Sequence, residues 1–338
     1  MKAKNLSGKS PGGKRSELAD ALPLSTPYIV QIFPIYACNF KCNYCIFYVD
    51  KKKRHFVSSQ NIMKLEVLEK CVDEMKRFPE KIKVLRFVGI GEPLMHKKLV
   101  EMIEYAVDSK VANNVELLTN ASILSNELSD RIIESRLDRL VISLQGIDAT
   151  GYKDVADVDV DFEEFIRNIQ YFYENKTNTH VYIKIIDQVL SEDGDEQHFY
   201  DLFGDICDSI AVENLVPIHE VEYGDDVLDV DETQFGQPLE KVRICPQPFF
   251  TIQINPDGNV VPCHSFKYPA IVGNVNDESF YDIWRKDCFD EFRYNMLENG
   301  VSEMGDTCKN CTIYKYRIFQ EDILDGKEEK LKPLFLTN

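Results

Sequence analysis

Six short stretches of the chain are apolar at nearly every position, and the segments between them are amphipathic. The six are "TPYIVQIFPI" (27–36), "VLRFV" (84–88), "NVELLTN" (114–120), "RLVISL" (139–144), "HVYIKIIDQVL" (180–190) and "SIAVENLVP" (209–217). Near-continuous β-branched and aliphatic runs of this length read as parallel strands covered on both faces. The intervening patterns are helical. In "KKLVEMIEYAVDSK", Leu99, Met102, Ile103, Ala106 and Val107 fall at i, i+3, i+4, i+7 and i+8, one face of a helix. "MKLEVLEKCVDEMKRF" and "FEEFIRNIQYFYEN" behave alike, and "SNELSDRIIES" opens on an Asn/Ser start signal. Strand–helix alternation six times over predicts a right-handed parallel α/β fold. Six units fall short of a closed eightfold barrel, so the expected architecture is a partial (β/α)6 barrel. Its chemistry belongs at the C-terminal ends of the strands.

The alternation stops near residue 235. "FFTIQINPDGNVVPC" then reads as a β-hairpin turning at Asp257-Gly258. The expected division is a flexible arm over 1–26, the barrel over 27–235, a small hairpin-plus-helix domain over 236–320 and a tail over 321–338. The arm, rich in Lys, Ser and Gly, lacks the apolar centre of a secretory signal.

Hydrophobic residues make up 44% of the 338, enough for a large core, and the formal net charge is −18. A surface this acidic repels phosphate backbones and anionic membranes, so neither nucleic acid nor membrane is an expected partner. No apolar run approaches the ~18 residues of a membrane span. The expected location is cytoplasmic, where ten cysteines argue for metal, catalysis or burial rather than disulfides.

Three of the ten, Cys38, Cys42 and Cys45, crowd the loop just past the first strand. Soft thiolates select zinc, copper(I) or iron–sulfur clusters. A closed structural zinc site takes four ligands, and this loop offers three and no His. Three thiolates on a [4Fe–4S] cluster leave one iron open; a zinc site completed from elsewhere is the other reading. Four more, Cys245, Cys263, Cys308 and Cys311, lie beyond residue 240. The hairpin turn brings Cys245 and Cys263 together, and "CKNC" supplies a C-x2-C pair. Four thiolates saturate a zinc ion or a [4Fe–4S] cluster equally well. Cys71, Cys207 and Cys288 read as small buried hydrophobes, with hydrogen-atom donation to a substrate radical as the functional alternative. His264, beside Cys263, reads as a residue around the ligands or on the surface.

The spacing C-x3-C-x2-C, with Tyr44 before the last Cys, resembles the radical S-adenosylmethionine (SAM) superfamily. The resemblance implies that Cys38, Cys42 and Cys45 hold a [4Fe–4S] cluster whose fourth iron is chelated by SAM. Reductive cleavage of SAM then gives methionine and a 5′-deoxyadenosyl radical, which takes a hydrogen atom from the substrate. "GIGEP" (89–93) resembles the family's glycine–glutamate–proline motif, with Gly89 and Gly91 allowing close backbone approach and Glu92 accepting from the SAM ammonium. Asn120 and Ser143 stand where relatives bind the SAM ribose or carboxylate. Lys184, Ile185 or Ile186 stands near the adenine, with Ile185 the residue assigned. A Gly/Pro turn, a helix cap and a satisfied strand hydroxyl are the plain alternatives. The chain departs from the pattern at Gln145, where many relatives carry Asp; Asp148 lies three residues on.

The second cysteine set, with "GNVNDESFYDIW" (273–284), resembles the auxiliary-cluster extensions called SPASM or twitch domains, in a shortened single-cluster form. The resemblance spans about 27–315 and implies two [4Fe–4S] clusters, SAM and an electron donor such as flavodoxin or ferredoxin. Its single-cluster relatives dehydrogenate sugars or aminocyclitols, crosslink peptides or mature other enzymes. Peptide-modifying relatives often carry an N-terminal peptide-binding domain, for which the arm is too short and polar. The expectation is therefore a radical SAM oxidoreductase acting on a small polar, sugar- or aminocyclitol-like substrate. The rivals are a peptide or protein maturase and, from another class, a zinc-stabilised binding protein.

Overall fold

All six apolar runs carry strands. The computed structural model describes residues 1–6, 15–50, 58–217, 230–264 and 267–336. Its strands are β1 (Lys4–Asn5), β2 (Ile29–Ile32), β3 (Ile82–Phe87), β4 (Ala112–Thr119), β5 (Arg139–Leu144), β6 (His180–Ile186), β7 (Ser209–Glu213), β8 (Thr251–Ile254), β9 (Asn259–Val261) and β10 (Gly273–Asn274). Between them lie α1 (Leu18–Ala21), α2 (Leu65–Met75), α3 (Leu99–Ser109), α4 (Asn126–Glu134), α5 (Ala149–Ala156), α6 (Phe162–Asn175) and α7 (Asp195–Phe203). The run over 180–190 stops being strand at Ile186 for a local reason. The Asp187 carboxylate accepts from Gln188 N at 2.8 Å and Leu215 N at 2.7 Å, which turns the chain out of the ladder.

The sheet order is β1-β7-β6-β5-β4-β3-β2-β8-β9-β10. Strands β2 to β7 pair in parallel, β8 joins β2 in parallel, and β9 and β10 are antiparallel additions. The sheet does not close, as six units imply. The hairpin turns at Gly258, whose φ of 85° suits glycine. It continues the barrel's own sheet, because β8 lies in register against β2.

Side chains alternate between two faces. One face packs on the helices in a layer that includes Val30, Ile32, Leu85, Phe87, Val115, Leu117, Leu140, Ile142, Ile183 and Ile185. The other face lines the barrel interior in rungs. Gln253, Gln31, Arg86, Glu116 and Arg139 are register partners across β8, β2, β3, β4 and β5. Buried Glu116 accepts from Arg86 Nε at 2.8 Å and Arg139 Nη1 at 3.3 Å. Leu118, Val141 and Tyr182 form an apolar rung above that floor. Ser143, Lys184 and Ala211 form the next, and Glu213 stands beside Ile186 at the top.

The expected arm and tail take part in packing instead. Lys4–Asn5 pairs with the free edge of β7. Leu18, Ala19 and Leu22 share one side of "LADAL" and bury in a second core with Ile244, Phe249, Met296, Leu297, Leu324, Leu331 and Phe335. Trp284 Nε1 donates to Leu24 O at 3.0 Å. The Lys- and Ser-rich composition hid three apolar residues at helical spacing. Residues 7–14 lie outside the described residues. The second core also takes α8 (Gln247–Phe250) and α10 (Asp287–Asn299), whereas α9 (Phe280–Trp284) buries Phe280, Ile283 and Trp284 in the barrel's own layer.

Candidate functional site

The cysteine loop leaves the C-terminal end of β2 and is pinned at several points. Cys45 N donates to Cys42 O at 2.9 Å, folding the loop into a turn. Lys41 N and Asn43 N donate to Ala156 O and Val155 O, the last turn of α5. The three thiols lie within electrostatic reach of one another. Burial pushes the Cys38 thiol up to about 12, and Glu92 and Cys45 add to the effect. Burial also raises Cys42, with Cys45 and Cys38 as the next causes. Anions that destabilise one another in a buried loop suit a cationic metal centre, which reverses that balance. Three thiolates without another ligand on the loop fit a cluster with one open iron.

Glu92 sits under this loop. Its carboxylate accepts from Leu94 N at 2.9 Å, Thr119 Oγ1 at 2.6 Å and Asn120 N at 2.7 Å. A carboxylate has about four acceptor positions, so one remains for a ligand's donor. Burial pushes its pKa up to about 7, and the three hydrogen bonds pull it back. Gly91 is required where it stands. Its φ is 146°, and a Cβ there would collide with the carbonyl oxygens of Ile35 and Ala37. Glu92 N donates to Ala37 O at 2.8 Å, which sets the turn against the cysteine loop. Asn120 caps its own turn, as its Oδ1 accepts from Ser122 N and Oγ, while Nδ2 donates to Asn39 Oδ1.

Ser143 is half-buried on the interior face and is the register partner of Lys184. Ile185 points the other way, into the layer between sheet and helices. A contact of Ile185 with adenine would therefore run through its backbone, and the period of two puts the Lys184 and Ile186 side chains on the interior face. Gln145 Nε2 donates to Ser143 O at 2.9 Å and lies 3.4 Å from Tyr44 OH, while its buried Oε1 has no partner. Asp148 does not stand in for the missing acid, because its carboxylate caps α5 by accepting from Gly151 N at 2.7 Å.

The second set converges. Cys245, Cys263, Cys308 and Cys311 line one apolar pocket with Pro248, Met296 and Tyr314. Burial raises the Cys245 thiol well above its ordinary range, with the other three cysteines among the further causes. Cys308 is pushed up to about 12 by burial and Cys311. Among the described residues no three His, Cys, Asp or Glu side chains close to the spacing of a single metal ion. The four thiols instead surround a space, and a multi-iron cluster, which spreads its ligands over several irons, fits that donor set.

The remaining cysteines lie off the interior face. Cys71 is buried on α2 with Leu68, Val72 and Met75, in the helix layer. Cys207 sits before β7, at the opposite end of the sheet from the cysteine loop, and donates to Phe203 O at 3.2 Å. Cys288 is exposed rather than buried: the expected Trp284–Phe292 stripe is split, with Trp284 ending α9 and Cys288 on the first turn of α10. His264 is half-buried rather than on the open surface. Its Nδ1 meets Gln31 Oε1 at 2.6 Å and its ring packs on Phe33, and burial pulls its pKa down to about 3. Sequence reasoning missed two interior groups: Tyr36 with Asn255 and Tyr268, and Lys184 with Glu213 and Gln234. Strand alternation carries the signal for Lys184 and Glu213; Gln234 has none.

Comparison with known proteins agrees with this geometry. Residues 32–193 match the model of the radical SAM superfamily, and residues 245–312 match that of the SPASM iron–sulfur cluster-binding domain. The chain is 23% identical over 321 residues to the tungsten-containing aldehyde ferredoxin oxidoreductase cofactor-modifying protein of Pyrococcus furiosus, covering 82% of this chain and 85% of that protein. It is 42% identical over 55 residues to the S-adenosyl-L-methionine-dependent 2-deoxy-scyllo-inosamine dehydrogenase of Niallia circulans, 16% of this chain and 22% of that protein. Among solved structures it resembles BtrN in complex with AdoMet and 2-DOIA, with a TM-score of 0.53, 17% identity and coverage of 84% and 92% of the two chains. It also resembles Streptococcus suis SuiB bound to the precursor peptide SuiA, with a TM-score of 0.61, 16% identity and coverage of 82% and 69%. No helix among the described residues is long and apolar enough to cross a membrane. With a cysteine loop and Glu92 turn at the mouth of an open parallel barrel and a separate four-thiol pocket in the second core, the chain belongs to the radical SAM superfamily and carries a SPASM-type iron–sulfur domain.

Proposed function

We propose that the chain dehydrogenates a small polyhydroxylated substrate, a sugar or aminocyclitol, by hydrogen-atom abstraction at the barrel mouth. One observation carries this reading. Above the apolar Leu118–Val141–Tyr182 rung the interior face carries four polar side chains, Ser143, Gln145, Lys184 and Glu213, alongside Ala211 and Ile186. A polyol pairs with such groups, whereas an apolar substrate leaves them desolvated and unpaired. The short stretch shared with the inosamine dehydrogenase supports it.

In this reading Cys38, Cys42 and Cys45 hold the SAM-binding [4Fe–4S] cluster, and Gly89, Gly91, Glu92, Asn120 and Ser143 surround SAM. Bound there, cluster and SAM together would supply a 5′-deoxyadenosyl radical. Gly91 lets the backbone come close, and Glu92 offers its remaining acceptor position to the SAM ammonium. The Asn39–Asn120 bond holds the loop over the strand ends. Oxidising an alcohol carbon removes one hydrogen atom, then one proton and one electron. The pocket of Cys245, Cys263, Cys308 and Cys311 is the place within the chain for an electron acceptor.

A second reading is modification of a peptide, protein or protein-bound cofactor, favoured by the relative that covers 82% of the chain. The test is anaerobic reconstitution, iron and sulfide analysis, then incubation with SAM, dithionite and 2-deoxy-scyllo-inosamine. The expected result is about eight irons per chain, and a ketone formed in step with 5′-deoxyadenosine. Deoxyadenosine without ketone turns the assignment to the maturase; zinc without iron, and no deoxyadenosine, overturns the radical chemistry.

A further inference from the structure

Lys184, Glu213 and Gln234 meet at the C-terminal ends of β6 and β7, apart from the network that holds the cysteine loop. Lys184 Nζ donates to Glu213 Oε2 at 2.6 Å, and Gln234 Nε2 donates to the same oxygen at 2.7 Å. Tyr182 OH donates to Glu213 Oε1 at 2.8 Å. Glu213 is only 2% exposed, and Lys184 with these hydrogen bonds holds its carboxyl below the usual range against burial. A carboxylate only accepts, so it fixes the Gln234 amide with nitrogen toward Glu213. The amide oxygen is then left over: Gln234 Oε1 is buried without a partner. A buried amide oxygen without a partner loses the hydrogen bonds that water would give it.

Nothing in the fold needs that orphan. The Gln234 backbone is tied independently, since its N donates to Tyr316 O at 2.8 Å and its O accepts from Asn214 N at 3.0 Å. Lys184 is the more open member, its side chain 19% exposed, and only one of its three N–H groups is engaged. Both side chains reach one carboxylate oxygen, so they stand side by side. Together they present free donors and one free acceptor, on the rung that also holds Ser143.

We propose that Lys184 and Gln234, braced by Glu213, anchor the substrate by a hydroxyl group or an adjacent pair of hydroxyls. A hydroxyl accepts from Lys184 Nζ and donates to Gln234 Oε1 at once. A carboxylate satisfies the lysine and leaves the amide oxygen unpaired, and an ammonium meets repulsion from the lysine. The inference rests on the dehydrogenase reading and names its anchoring residues.

The test uses the full chain, reconstituted and loaded with SAM, and measures binding of 2-deoxy-scyllo-inosamine by calorimetry alongside its turnover. Lys184→Met and Gln234→Met each raise the inosamine Kd and KM at least tenfold, and Lys184→Arg recovers most of the loss. Lys153→Met, an exposed lysine on α5 paired with Asp159, changes neither. If Lys184→Met fails to fold for want of a counter-ion to Glu213, Gln234→Met keeps the ion pair and decides alone. Unchanged inosamine binding in the variants, with a wild type that binds and oxidises it, overturns the subsite and leaves the dehydrogenase reading standing. A matching loss of SAM affinity assigns the group to the cofactor and also overturns it. A wild type that cleaves SAM but neither binds nor oxidises inosamine overturns both.

Discussion

Asn120 Nδ2 donates to Asn39 Oδ1 at 3.1 Å, tying the end of β4 to the cysteine loop between Cys38 and Cys42. The bond is part of a longer chain. Asn39 Nδ2 donates to Ser122 Oγ at 2.7 Å, Ser122 donates back to Asn120 Oδ1, and Asn120 N donates to Glu92 Oε2. Three separate loops therefore share one hydrogen-bond network, and the two motifs read from the sequence are physically one unit. Removing the Asn39 amide leaves partly buried partners unpaired, at about 1–3 kcal/mol. Asn39→Ala is expected to weaken SAM binding to the reconstituted enzyme about tenfold without changing overall helix content. Calorimetric titration with SAM measures it, and an unaltered Kd refutes the coupling.

Gly91→Ala acts on the same unit more severely. The added Cβ meets two backbone carbonyls, and φ is in the region that side chains avoid. The turn must move, and with it the Glu92 carboxylate. Loss of SAM-dependent 5′-deoxyadenosine formation by at least a hundredfold is expected, with iron content at the second thiol site intact.

The charged floor of the barrel predicts a pH dependence. Arg86 and Arg139 hold the Glu116 carboxyl below its ordinary value of 4.5 despite burial. A depressed carboxylate contributes stability that is present above the unfolded-state pKa and lost as pH falls through the folded one. Wild-type stability is therefore expected to fall as the pH drops below about 4.5. Glu116→Gln leaves two arginines without their anion, at about 3–5 kcal/mol near neutral pH, and flattens the acid-side slope. Urea unfolding across pH 3–7 reads both effects.

The sequence made the parallel strands, the open barrel and both thiol sets legible, because each is written locally. Apolar runs of strand length, a C-x3-C-x2-C loop and a hairpin with Asp-Gly need no distant partner to be recognised. What escaped depends on long-range packing. Ile185 and Lys184 are neighbours in a buried strand, and only pairing with β5 and β7 shows which faces inward. His264 looks like a polar surface residue until Gln31 and Phe33 enclose it. Gln234 gains meaning only from a carboxylate 21 residues away.

The N-terminal segment makes the same point experimentally. Leu18 is 2% exposed among residues from three distant parts of the chain, including Phe249 and Leu324. Leu18→Ala removes a buried side chain from a well-filled site, which costs about 2–5 kcal/mol. A flexible arm tolerates the change. The expected outcome is a lowered unfolding midpoint, largest for amides of the second core by hydrogen exchange.

The four-thiol pocket gives the last prediction. Cys245 and Cys308 come from separate segments, and the second core that surrounds them also holds Ile244, Met296 and Tyr314. A cluster bound by all four thiolates crosslinks those segments, and its binding free energy adds to the stability of that core. Cys308→Ala is expected to lower iron from about eight to about four per chain, and to increase hydrogen exchange in α10 more than in β4 or β5. The cysteine loop is untouched, so SAM cleavage under dithionite persists. On the proposed dehydrogenase reading, oxidation of the substrate stops, because the second electron has lost its acceptor. Loss of SAM cleavage together with oxidation would mean the two sites do not act separately.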